Sequence, residues 1–106
     1  MSSCSTHVLD ATLGRPAGGV AVRLSTADGT PLEAATTDAG GRVRFDADLR
    51  PGDHQLTFDT GSWFAEQDRD TFYPSVTLSF TVAAGEPHYH VALLLSPFSY
   101  STYRGS

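Results

Sequence analysis

Alternating apolar and polar side chains recur along most of the chain, and this period of two is typical of half-buried β-strands. The clearest case runs from Val76 to Val82, where apolar residues occupy the alternate positions. Near the C-terminus, the apolar run Tyr89 to Leu95 and a second β-rich segment flank a break at residues 97–99, which predicts a hairpin. Other segments with a strand pattern are residues 6–10, 20–25, 32–37, 42–45 and 54–59.

Turn signals separate the predicted strands and leave room for one helix. The pair Asp28-Gly29 is a strong hairpin signal, and further turns rich in glycine or proline divide the rest of the chain. Residues 60–68 form the only plausible helix, with Thr60 or Ser62 as its N-cap. We therefore predict an all-β fold, an antiparallel β-sandwich of seven to eight strands with one short helix, in a single domain covering residues 1–106.

Composition and charge narrow the possible functions. Of the 106 residues, 40% are hydrophobic and 18% are charged, as in an ordinary globular protein. The formal net charge of -5 argues against nucleic-acid binding, which needs a basic surface. No apolar run approaches the ~20 residues of a membrane span, and the N-terminal segment lacks an export signal. The single cysteine, Cys4, fits a reducing compartment, so we expect a cytoplasmic protein with no membrane partner.

The residues that could carry chemistry are histidines, arginines and the polar C-terminal tail. A lone histidine in a strand is usually structural, and a lone arginine after a glycine turn is usually a surface charge. Together, two imidazoles supply an acid and a base near neutral pH, and two guanidinium groups can hold a planar anionic substrate. No third ligand accompanies the histidines, so we predict neither a metal site nor a cofactor. The candidates are His7, Arg42, His54, His88, His90, Tyr103, Arg104 and Ser106.

Several motifs resemble those of the transthyretin-like family, and the resemblance extends from about Ser5 to the end of the chain. Transthyretins proper carry thyroid hormone, whereas the enzyme branch of the family, the 5-hydroxyisourate hydrolases, ends in Tyr-Arg-Gly-Ser. Residues 103–106 of this chain match that ending. The other matching motifs are residues 6–10, 14–17, 37–42, 72–74 and 94–102.

The resemblance implies roles for individual residues. His88 matches the earlier histidine of a His-Tyr-His-Val motif and is expected to be supporting or structural, while His54 lies outside every matched motif. One departure near the expected site is Ala92, where the family commonly has proline. The residues that match the family's catalytic positions are His7, Arg42 and His90, and those that match its substrate-binding positions are Tyr103, Arg104 and Ser106.

The resemblance also implies an assembly and a reaction. The expected assembly is a homotetramer, a dimer of dimers with active sites at the two ends of a central channel. The expected reaction is the hydrolysis of 5-hydroxyisourate in urate catabolism, in which His7 and His90 divide the acid–base work. Arg42 and Arg104 would orient the substrate and stabilise the developing oxyanion. Which histidine acts as the base stays open at this point.

Two alternatives are compatible with the same sequence. The first is a non-catalytic, transthyretin-like carrier that binds a small aromatic ligand in the channel. The second is a secreted adhesion-type sandwich, which the single cysteine and the missing export signal disfavour. The tail discriminates between enzyme and carrier, because a carrier has no need of two histidines and two arginines near one another.

Overall fold

The computed structural model describes residues 2–105 and consists of two β-sheets that enclose one hydrophobic core. The predicted all-β sandwich with one short helix is confirmed. Nine strands are present within the described residues, more than the predicted seven to eight, because two of them span only two and three residues. The elements are β1 (Ser3–Asp10), β2 (Arg15–Pro16), β3 (Ala21–Thr26), β4 (Pro31–Thr36), β5 (Arg42–Arg44), β6 (Gly52–Phe58), α1 (Thr60–Ala65), β7 (Val76–Val82), β8 (His88–Ser96) and β9 (Ser99–Gly105).

The first sheet joins the two ends of the chain. Its strand order is β2-β1-β8-β9, and β5 also pairs with β1. The second sheet has the order β4-β3-β6-β7. Among the described strands all pairs are antiparallel except β1 with β8, which run parallel and are the one exception within the predicted antiparallel sandwich. This parallel pairing sets residues 3–10 beside residues 88–95 and brings the two histidine motifs together.

The alternation in the sequence determines which side chains fill the core. Along β3 and β7 the apolar residues of the alternating pattern are buried, except for Phe80, which is half-buried. Burying one large apolar side chain stabilises the fold by roughly 1.5–3 kcal/mol. The largest fully buried side chains are Phe58, Phe64, Leu24, Leu49, Leu56, Leu93 and Leu95.

The helix α1 is shorter than predicted and lacks the expected cap. It covers Thr60–Ala65 instead of residues 60–68, and Asp59 occupies the N-cap position without a capping hydrogen bond from its side chain. The prediction that Thr60 or Ser62 caps the helix is therefore wrong. A helix of six residues has little stability of its own, so contacts with the rest of the protein must hold it.

Those contacts come from aromatic side chains and a partly buried ion pair. Phe64 is fully buried, and the indole N–H of Trp63 donates a hydrogen bond of 2.8 Å to the carbonyl oxygen of Gly18. Arg69 lies 4.8 Å from the centre of the Phe64 ring and donates to Oδ2 of Asp10 at 2.7 Å. The segment after the helix is thereby fixed to the end of β1. Within residues 2–105, no helix has the length and apolar character needed to cross a membrane.

Candidate active site

Three strands of the first sheet place His7, Arg42 and His90 on one face. Across β1 and β5, His7 lies directly opposite Arg42. Across β1 and β8, Ser5 lies directly opposite His90. Side chains two residues apart on a strand share a face, so the two histidines and the arginine lie on the same side of the sheet. The histidines are half-buried and Arg42 is exposed.

A glycine-containing turn sets the position of Arg42. The carboxylate Oδ1 of Asp38 accepts hydrogen bonds of 2.9 Å from the backbone N–H groups of Gly40 and Arg42. Gly41 has a φ of +75°, and a Cβ added there would overlap the carbonyl oxygen of Val8. The backbone N–H of Val8 donates to the carbonyl oxygen of Gly41 at 2.7 Å. The turn can therefore pack closely on β1 only because residue 41 has no side chain.

Two serines of β1 connect the histidines of β8. Oγ of Ser5 lies 2.8 Å from Nε2 of His88 and 2.7 Å from Nδ1 of His90. Oγ of Ser3 lies 2.5 Å from Nδ1 of His88. The side chains thus form a continuous hydrogen-bonded row along the face of the sheet.

The electrostatic surroundings keep His90 neutral near neutral pH. Burial lowers the pKa of His90 below its ordinary value of 6.5, and electrostatic repulsion from His7, His88 and Arg42 lowers it further. A neutral imidazole can accept a proton from water. Nε2 of His7 is buried and has no hydrogen-bond partner among residues 2–105, so this nitrogen is uncommitted within the described chain.

A cleft of about 410 Å³ opens beside these groups. Its polar lining includes both cationic and imidazole side chains, which suit an anionic, nitrogen-rich ring. Arg44 is a second arginine on this face, because it pairs with Ser5 across β1 and β5. The residues that line the cleft are Ser5, Thr6, Asp38, Arg42, Val43, Arg44 and His90.

The structure separates Arg104 from this cleft. Arg104 pairs with Val91, whose side chain points to the opposite face of the sheet from His90. Its guanidinium lies 4.5 Å from the centre of the Tyr89 ring and 3.4 Å from Oε1 of Glu86. The expected convergence of Arg42 and Arg104 is therefore wrong within a single chain. Arg104 instead borders a second cleft of about 390 Å³ between the edge strands β7 and β9.

The other tail residues have different placements. Tyr103 pairs with Ala92 and so lies on the same face as His90, with 57% of its surface exposed. Gly105 pairs with His90 itself. Ser106 lies outside the described residues, so its expected role in substrate binding stays a prediction.

Sequence reasoning missed the serines and Arg44. Arg44 lies in the strand pattern of residues 42–45, where no motif marks it. Ser5 shares the face of His7 by simple alternation, which was the available signal. Its contact with His88 and His90 depended on the pairing of strands more than 80 residues apart in sequence, which no local pattern reveals.

Two other residues with reactive side chains, Cys4 and His54, take no part in the cleft. Burial raises the pKa of the Cys4 thiol to about 12, so this side chain is protonated at neutral pH and is a poor nucleophile. His54 lies in the second sheet, where its Nδ1 is 3.1 Å from the carbonyl oxygen of Gly52. Among the side chains that the structure describes, no group of three or more His, Cys, Asp or Glu residues is arranged to hold a metal ion.

Comparison with known proteins identifies the family of the chain. Residues 4–105 match the HIUase/transthyretin family. This chain belongs to that family. The 5-hydroxyisourate hydrolase of Caulobacter vibrioides, a HIUase/transthyretin relative, is 43% identical over 115 residues, which cover 100% of both proteins.

Solved structures from both branches of the HIUase/transthyretin family share the fold. The Klebsiella pneumoniae 5-hydroxyisourate hydrolase is 41% identical with a TM-score of 0.91, and the match covers 100% of this chain and 94% of that one. Sea bream transthyretin in complex with thyroxine is 35% identical with a TM-score of 0.87, and the match covers 96% and 93%. The fold alone therefore does not distinguish a hydrolase from a ligand carrier. The side chains of the site must make that distinction.

Proposed function

We propose that this protein is a hydrolase that opens 5-hydroxyisourate to 2-oxo-4-hydroxy-4-carboxy-5-ureidoimidazoline. The observation that carries the proposal is the convergence of His7, Arg42 and His90 on one face of the first sheet. The hydrolases of Caulobacter vibrioides and Klebsiella pneumoniae, similar over the full length of this chain, support the choice of substrate. The proposed place of the reaction is urate catabolism, after the oxidation of urate.

The proposed mechanism uses water as the nucleophile. One imidazole, His7 or His90, removes a proton from water as it attacks a ring amide carbonyl, and the other protonates the ring nitrogen that leaves. Arg42 donates hydrogen bonds to the substrate and stabilises the negative charge that develops on the carbonyl oxygen. The low pKa of His90 supports a base role for that residue, because its imidazole is unprotonated at neutral pH.

The roles proposed for the tail differ from residue to residue. For Tyr103 and Ser106 we keep the substrate-binding role implied by the family motif, and the position of Tyr103 on the face of His90 supports it. For Arg104, stacking on Tyr89 and pairing with Glu86 support a role in fixing the tail. Substrate contact by Arg104 would require a change in its side-chain position or a second chain.

The proposed assembly is a homotetramer built as a dimer of dimers. The edge strand β9 pairs only with β8, and most of its side chains are exposed. Phe98 next to β9 and Tyr100 and Tyr103 within it are all exposed, and groups of exposed apolar side chains mark interaction surfaces. A second copy pairing along β9 would cover this edge. Light scattering after size exclusion tests the assembly, for which four times the chain mass of 11.3 kDa is expected, and a fully active monomer would overturn it.

The runner-up function is a carrier of a small aromatic ligand, which the likeness to sea bream transthyretin supports. An ultraviolet assay separates the two functions. Urate oxidase generates 5-hydroxyisourate in situ, and the decay of its absorbance is followed with and without this protein. A decay far faster than the spontaneous one supports the hydrolase, whereas the spontaneous rate together with tight thyroxine binding in calorimetry would support the carrier.

The proposed location is the cytoplasm. The single cysteine supports it, because Cys4 is buried as a free thiol and has no disulfide partner in the sequence. Fractionation of source cells followed by detection with an antibody tests the location.

A further inference from the structure

His90, the candidate base, is the first of four side chains in a hydrogen-bonded row. Nδ1 of His90 lies 2.7 Å from Oγ of Ser5, which lies 2.8 Å from Nε2 of His88. Nδ1 of His88 in turn lies 2.5 Å from Oγ of Ser3. The parallel register sets Ser3 opposite His88 and Ser5 opposite His90, so two strands supply the row alternately. Every contact is within hydrogen-bond distance.

The number of available protons limits which group donates in each hydrogen bond of the row. A serine hydroxyl has one proton to donate, and a neutral imidazole has one N–H. Oγ of Ser3 also lies 3.3 Å from the carbonyl oxygen of Pro87, which can only accept. If Ser3 donates to Pro87, then Nδ1–H of His88 donates to Ser3, Ser5 donates to Nε2 of His88, and Nδ1–H of His90 donates to Ser5.

The opposite direction makes one hydrogen bond fewer. If Ser3 donates to Nδ1 of His88, its contact with the carbonyl oxygen of Pro87 contains no proton. His88 would then donate through Nε2 to Ser5, and Ser5 would donate to Nδ1 of His90. The first direction places a proton in all four contacts, including the exposed contact of Ser3 with Pro87, whereas the second direction leaves that contact without one.

We infer that Ser5 and His88 are positioning residues that hold His90 as the Nδ1–H tautomer, with Nε2 free to accept a proton from water. The inference rests on the proposed function and deepens it, because it assigns the base role to one of the two histidines. The hydrogen bond at one ring nitrogen determines which form the other nitrogen takes. In this protein a serine and a second imidazole supply that bond, where a carboxylate does so in many hydrolases.

The packing around His90 is consistent with this role. Gly105 of β9 lies against the ring carbons of His90, so the ring cannot rotate freely. The charged and titratable groups on the elements around it are His7 of β1, Asp38 of the turn before β5, Arg42 and Arg44 of β5, His88 of β8 and Tyr103 of β9. Oδ1 of Asp38 accepts hydrogen bonds from the backbone N–H groups of Gly40 and Arg42, and the oxygen found next to Nδ1 of His90 is Oγ of Ser5.

Kinetics of variants provide the first test. Ser5→Ala removes the hydrogen bonds of Ser5 to His88 and to His90. Because the second of these bonds positions His90, we expect kcat to fall about tenfold with little change in KM. His88→Phe keeps the ring and removes its nitrogens, and a similar loss is expected. In His88→Gln the amide oxygen can replace Nε2 as acceptor for Ser5, so most of the activity should return. Ser62→Ala, on the exposed face of α1, is the matched control and should leave kcat unchanged.

Nitrogen-15 NMR of the imidazoles provides the second test and does not depend on turnover. The expected result is a His90 protonated at Nδ1 in the wild-type protein and a mixture of tautomers in Ser5→Ala. A wild-type His90 protonated at Nε2 would overturn the inference, as would full kcat in both Ser5→Ala and His88→Phe. A wild-type protein without hydrolase activity would refute the proposed function, while the tautomer would still decide the role of the row.

Discussion

Gly105 of β9 lies against the imidazole ring of His90. The two residues pair directly across β8 and β9, so their contact follows from the register of the terminal hairpin. A Cβ added at Gly105 would overlap Cδ2 of the ring and lie 3.1 Å from its Cγ. The backbone of the tail therefore borders the candidate site, and it can lie this close to His90 only because residue 105 has no side chain.

Gly105→Ala should displace the His90 ring and lower kcat by roughly tenfold to a hundredfold, because small misplacements of reacting groups are costly. Steady-state assays with 5-hydroxyisourate measure the effect. Ser99→Ala, at the other end of the same strand, is the control and should retain wild-type kcat. Full activity of Gly105→Ala would show that the position of His90 does not limit the reaction.

Gly41→Ala should lower the free energy of unfolding by about 2 kcal/mol or more, because a positive φ and a clash with Val8 act together. Gly14→Ala is a matched control: its φ is +68°, but a Cβ there meets no atom within 4 Å. Thermal and urea denaturation measure both variants. Equal losses in the two would mean that backbone strain alone, and not the packing of the turn on β1, explains the need for glycine.

Arg42→Gln should raise the pKa of His90 toward 6.5. Burial and electrostatic repulsion from His7, His88 and Arg42 lower this pKa, so removing the charge of Arg42 returns part of the shift. If His90 is the base, the acidic limb of the pH profile of kcat/KM lies below pH 6.5 in the wild type and moves to higher pH in the variant. NMR titration of the His90 ring measures the pKa, and Arg23→Gln on the second sheet is the control. An unchanged or lower pKa in Arg42→Gln would contradict the placement of this charge.

Asp10 should make the fold sensitive to acid. Burial by itself raises the pKa of Asp10, but hydrogen bonds from Arg69 and from the backbone N–H groups of Leu13 and Thr12 outweigh it, so the pKa lies below its ordinary 3.8. The folded state thus favours the ionised carboxylate. Its stabilising contribution is complete above pH 3.8 and is lost as the pH falls through the lower pKa of the folded state.

Asp10→Asn should therefore lower the free energy of unfolding by about 2 kcal/mol at neutral pH, the scale of a charge-assisted hydrogen bond. Below pH 3.8 the difference from the wild type should shrink. Urea denaturation across this pH range measures both effects. A constant difference at every pH would mean that the charge of Asp10 plays no part.

Local patterns were sufficient to predict the strands and their faces. The strand predicted over residues 6–10 lies within β1, where Val8 and Asp10 are buried and His7, on the other face, is half-buried. The break at residues 97–99 correctly separated the two strands of the terminal hairpin. The period of two is a consequence of backbone geometry, so it can be read from sequence wherever one face of a strand is buried.

Features that depend on distant pairing were not predictable in this way. The face of Arg104 is set by its register with Val91 and by stacking on Tyr89. The row through Ser5 and His88 requires the parallel pairing of β1 with β8. The prediction of the helix cap was wrong for a different reason. Tertiary contacts of Trp63 and Phe64 hold α1 in place, so the helix does not depend on a local cap.

The turnover of His90→Ala and His7→Ala tests the central claim most directly. Both variants and the wild type are compared in the decay of 5-hydroxyisourate, with His54→Gln as a control histidine from the second sheet. We predict a loss of ~10²-fold or more in each site variant, the usual effect of removing an acid–base group, and little loss in His54→Gln. Near-wild-type turnover in both site variants would contradict the assignment of this face of the sheet as the active site.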